Sequence, residues 1–101
     1  MTEHDGADTD GTQTTLQTAA REIHEHLEAT AELPIDHRTN RWLGEAEAVA
    51  ADAAFNDLDA ETMAKRLSQV RHLLEEADAA GHPEADEHLE QAREVCARVL
   101  D

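Results

Sequence analysis

Seven histidines, one cysteine and an abundance of carboxylates are the residues of this chain with chemistry to offer. His24 and His26 form an HxH pair, which on a strand presents both rings to one metal ion. On a helix, positions two apart differ by about 200°, so the same rings point to nearly opposite sides. His24 with Glu28, and His72 with Glu76, have the i,i+4 interval that puts both side chains on one helix face. With 24 acidic residues in the chain, such pairs arise by composition alone. There is no HExxH. Glu22-Ile23-His24 and Asp86-Glu87-His88 have the wrong interval for the repeated ExxH of di-iron bundles. The expectation is solvated histidines on acidic faces, with no bound metal and no cofactor.

Nucleophiles are equally sparse. Cys96 falls on an apolar helix face, where a thiol packs as a small hydrophobe. Ser68 is the only serine and sits in no nucleophile elbow, and no glycine-rich loop follows a strand. No catalytic residue is assigned, and the chain is read as a non-enzyme.

The most distinctive stretch is LPIDHRTNRWLGEAEAVA, Leu33 to Ala50, with the only tryptophan. His37, Arg38 and Arg41 stand in the first turn of a helix, where positive charge opposes the helix dipole at about 0.3–1 kcal/mol per exposed group. Something must offset this. One reading pairs the arginines with acids of neighbouring helices, such as Glu32 or Asp57, while Trp42 plugs the end of the bundle. The other makes His37, Arg38, Arg41 and Trp42 an interaction site, since tryptophan and arginine are favoured interface anchors. Pairing and plugging is the preferred reading, and docking the minority one.

The elements that must position these residues are helices. Leu16, Ala20, Ile23, Leu27 and Ala31 recur at steps of four and three, one stripe of a helix over residues 13–32. Thr14 and Gln17 have capping-box spacing at its start, and Leu33-Pro34 ends it. A second helix runs from His37 or Asn40 to Phe55 with a broad face of Trp42, Leu43, Ala46, Val49, Ala50, Ala53 and Ala54. Its small residues, Gly44 included, favour close helix approach. A third covers Ala60 to Ala80, capped by Asp59, with a Leu58–Met63 staple and an inward stripe of Met63, Leu67, Val70, Leu73, Leu74 and Ala77. Gly81 suits a left-handed cap and Pro83 the first position of a fourth helix, Pro83 to Leu100. That helix turns Ala85, Leu89, Ala92, Val95, Cys96 and Val99 inward. No alternating β-branched run is present. Short connections make neighbours antiparallel, so the fold class is all-α, a four-helix up-and-down antiparallel bundle over residues 13–101. Residues 1–12, MTEHDGADTDGT, read as a disordered acidic tail.

Charge sets the environment. Acidic residues outnumber basic ones 24 to 8, a formal net of −16 on 101 residues, where about 2–8 in magnitude is ordinary. Dense counter-ions screen such self-repulsion, pointing to a salt-accumulating cytoplasm. The surface repels phosphate backbones and anionic lipid, which argues against nucleic-acid and membrane partners. A lone cysteine fits a reducing interior. No apolar run approaches the ~18 residues of a membrane span, and no basic-then-apolar leader opens the chain. A core this small favours self-association as a homodimer, with Leu73 and Leu100 on its seam.

LPIDHRTNRWLGEAEAVA, with GHPEADEHLEQA further on, resembles a family of short, acidic haloarchaeal proteins of uncharacterised function. The resemblance spans Leu16 to Leu100 and implies an archaeal halophile source, without catalytic or binding residues to carry over. The functional expectation is a small cytoplasmic protein-interaction or regulatory module. The competing class is a metal-binding or enzymatic bundle built on inward-facing histidine and glutamate.

Overall fold

Pro34 sets the first boundary. Its ring clashes with the carbonyl four residues earlier, that of Thr30, and it forces Leu33 out of the helical region. The computed structural model of the chain describes residues 2–77 and 80–101, with side chains from residue 14 onward. In it α1, Thr2–Thr30, ends at that residue. Among the described residues Thr30 is the only buried polar one, and its hydroxyl donates to the Leu27 carbonyl at 2.6 Å. The helices α2, His37–Phe55, α3, Ala60–Ala77, and α4, Pro83–Leu100, follow. They form the expected four-helix up-and-down bundle, and the described residues contain no strand.

The start of α1 differs from the expectation. Thr14 lies inside the helix rather than capping it, so the capping box does not form. Gln17 is used elsewhere: its Nε2 donates to the Ala54 carbonyl at 3.1 Å, tying α1 to the end of α2. The disordered acidic tail expected over residues 1–12 is not what the backbone shows: residues 2–12 continue α1 as helix, while their side chains lie outside the described residues. Packing begins at Leu16 and continues through Ala19, Ala20, Ile23 and Leu27.

Alanine dominates the inward face of α2. Ala46, Ala50, Ala53 and Ala54 are all fully buried, so α2 lies closely along both α1 and α3. Gly44 has no part in this: it is exposed, and a Cβ there would meet nothing within 4 Å. α4 lies chiefly along α1, packs more thinly on α3 and has no close backbone approach to α2. Leu73 keeps its expected place in the inward stripe but not on a dimer seam. It is buried in the protomer's own core at 7% exposure, which removes it from any seam with a second copy.

The turns follow their residue chemistry. Asp59 caps α3, its Oδ1 accepting from the Thr62 amide at 2.7 Å, with Met63 buried and Leu58 half-buried beside it. Those bonds to Thr62 hold the Asp59 carboxyl below its ordinary value. α3 is described as far as Ala77 and does not include Ala80, which is taken into the next connection: its amide donates to Asp86 Oδ1 at 2.6 Å. Gly81 adopts φ +73°, the left-handed conformation expected of it. His82 then caps α4 through Nδ1, and Pro83 occupies the first turn. A Cβ at Gly81 would meet no atom within 4 Å, so Gly81→Ala isolates the backbone strain. The expected loss is about 1–2 kcal/mol in urea unfolding with an unchanged denaturant slope.

Candidate functional site

The first turn of α2 carries no acidic residue, so its exposed amides and opposing cations need another source of negative charge. Asp36 supplies it. As N-cap it accepts from the Arg38 and Thr39 amides at 3.1 and 3.4 Å. The dipole penalty is therefore offset by a backbone cap, and the arginine side chains remain available.

Arg38, Arg41, Trp42 and Glu45 stand at i, i+3, i+4 and i+7, one face of the helix. They line a surface pocket of about 270 Å³. Trp42 is half-buried, packed against the core and also lining the pocket. His37 is exposed and does not line it. The structure thus brings together Arg38, Arg41 and Trp42 from the sequence-derived set, adds Glu45 and leaves His37 aside.

The arginines do not make the ion pairs expected with Glu32 or Asp57. Elsewhere in the bundle the cations are engaged. Arg66 meets Asp52 at 3.1 Å, Arg71 meets Asp101 at 2.9 Å and Arg98 meets Glu22 at 3.1 Å. Lys65 lies 3.9 Å from Glu61. Arg21 and Arg93 donate to the carbonyls of Ala54 and Leu74. Among the described residues, Arg38 and Arg41 are the arginines with no side-chain partner, in a chain of 24 acids. Two fork-shaped donors beside an indole face suit a planar carboxylate, which arginine binds bidentately.

The histidines separate as helical geometry requires. His24 turns toward α2, its Nε2 3.8 Å from Glu47 Oε2, while His26 turns toward α4. His26 and His88 bring their Nδ1 atoms to 3.0 Å. One ring must present Nδ1–H and the other a lone pair, so doubly protonated rings lose this bond. His24, Glu28 and Glu47 place one ligand atom each within 4.8 Å of the others. Sequence reasoning saw His24–Glu28 but not Glu47 or His88, because both partners come from another helix whose register the interval within α1 does not encode. Cys96 is fully buried, and burial pushes its thiol up to about 11. It is accordingly a packing residue, poor in thiolate at neutral pH.

Among the described residues no helix is long and apolar enough to cross a membrane. Comparison with curated proteins gives no match, and neither does comparison with solved structures. A family model, the domain of unknown function DUF8152, matches residues 19–101. That span takes in the packed part of α1 from Ala19, the whole α2 pocket and both later helices. The chain belongs to the DUF8152 family.

Proposed function

We propose that this protein is a non-enzymatic interaction module of a salt-rich, archaeal cytoplasm, and that it docks an acidic segment of a partner protein at Arg38, Arg41 and Trp42. One observation carries the reading: two arginines that pair with no carboxylate among the described residues share a pocket with a half-buried tryptophan on an otherwise strongly anionic molecule. In concentrated salt, long-range attraction is screened, and contact pairs made bidentately on an apolar surface retain their strength. The indole supplies that surface, as tryptophan and arginine do at the centre of protein interfaces. Glu45, which lines the same pocket one turn after Arg41, sets the orientation by repelling a carboxylate placed there.

A second copy of the chain, itself acidic, is the simplest such partner. Light scattering in about 2 M KCl separates the cases, because screening removes charge repulsion as a reason to stay apart. A dimeric mass that reverts to monomer in Arg38→Ala/Arg41→Ala assigns the pocket to self-docking. A monomeric mass directs it to another protein, captured from the native host in high salt. The double variant is expected to lose capture by at least tenfold while keeping its melting temperature, since neither side chain pairs within the fold. Unchanged capture with a lowered melting temperature returns these arginines to a structural role.

A further inference from the structure

We propose a divalent transition-metal site at His24, Glu28 and Glu47, a position separate from the arginine pocket and independent of its function. His24 and Glu28 are one turn apart on α1, and Glu47 reaches them from α2. The His24 side chain is only 14% exposed, its ring edge-on to Phe55 at 5.2 Å between centroids. It makes no hydrogen bond within the described residues, although its Nε2 is aimed at Glu47 Oε2 from 3.8 Å. That separation is too long for a hydrogen bond and close to what two ligands of one ion require. Zinc bonds of about 2.0–2.2 Å in tetrahedral array hold neighbouring ligands roughly 3.4 Å apart. All three ligand atoms already lie within 4.8 Å of one another. Rotations of roughly 1 Å by the two glutamates, one exposed and one 30% exposed, close the set.

The donor set selects the ion. One imidazole nitrogen with two carboxylates suits zinc, and disfavours magnesium and calcium, which demand oxygen throughout. Three protein ligands leave a fourth position for water. The carboxylates neutralise the ion, so the site needs no further anion, and the net charge of the chain draws cations toward it. Because the ligands come from α1 and α2, the ion clamps two helices that the unfolded chain does not hold together, and binding favours the folded state.

The test is calorimetric titration of chelator-treated full-length protein with zinc in about 1 M potassium nitrate, nitrate because chloride itself ligates zinc. High salt suppresses diffuse binding to surface carboxylates. One equivalent is expected to bind, to raise the melting temperature by about 10 °C at a hundredfold excess over Kd, and to be ignored by magnesium at equal concentration. Glu47→Gln and His24→Ala should each weaken binding tenfold or more. Glu28→Gln, an exposed isosteric change, provides a variant whose folding is not in question. His26→Ala should bind as the parent does. Absence of saturable binding overturns the site. So does binding that magnesium matches, which marks diffuse acidic attraction, or binding that His26→Ala abolishes, which moves the ion to the His26–His88 pair.

Discussion

Leu74→Ala is expected to lower the stability of the bundle by about 2–5 kcal/mol, read as a shift of the urea midpoint with an unchanged slope. Leu74 is fully buried on the central stripe of α3, between Val70 and Ala77. Truncation removes its transfer free energy and leaves a cavity that rigid neighbouring helices fill only in part. The Arg93 guanidinium bond at 2.7 Å goes to the Leu74 carbonyl, so it survives the change and isolates the packing term. A domain of this size holds about 5–15 kcal/mol in total, and the loss is therefore a large fraction of it. Phe55→Ala makes the comparison. At 61% exposed, Phe55 is the one large hydrophobic residue on the described surface; its removal takes only the edge contact with His24 and the Arg21 guanidinium 6.0 Å over its ring, and should cost about 1 kcal/mol. Equal losses at both positions contradict the assignment of the core.

Raising potassium chloride from about 0.01 to about 1 M is expected to raise the melting temperature by 10 °C or more. The Debye length falls over that range from about 30 to about 3 Å. Two like charges 10 Å apart in water repel by about 0.4 kcal/mol when unscreened, and a net of −16 multiplies such terms into several kcal/mol. Salt also weakens attractive pairs, but among the described residues the Lys and Arg pairs are few and largely exposed: Lys65–Glu61, Arg66–Asp52, Arg71–Asp101 and Arg98–Glu22. Each is worth about 0.2–1 kcal/mol at most for pairs of this exposure, and together they do not match the repulsion. Repulsion wins, and the sign of the salt effect follows. A melting temperature constant across this range, followed by circular dichroism, removes the electrostatic basis of the salt-rich setting.

How much of this was legible beforehand depends on whether a feature is local. The limits of α2 and α4, the Asp59 cap, the left-handed Gly81 and the apolar stripes depend on neighbours within a few residues, and intervals in the sequence encode them. Leu73 shows the boundary. Its place at the edge of a stripe is visible, but whether it faces a second copy or its own core depends on how closely α3 meets the other helices. The alanine face of α2 sets that approach. The candidate site divides in the same way. Arg38, Arg41 and Trp42 share a face by spacing alone, whereas the missing ion pairs with Glu32 and Asp57 are decided by where other elements end. Thr14 and Gln17 form a plausible cap locally, yet Gln17 reaches Ala54 because α1 continues through them.

The thin attachment of α4 has a consequence for how the molecule opens. α2 lies closely along both α1 and α3, while the last helix leans chiefly on α1, with a thinner approach to α3 and no close backbone approach to α2. Its detachment opens the long seam with α1 and the short one with α3, and leaves a three-helix remainder that keeps the residues of the tryptophan pocket, all on α2. Amides of Leu89 to Cys96 therefore exchange with solvent through a smaller opening than those of α2, and the chain comes apart from its C-terminal end first.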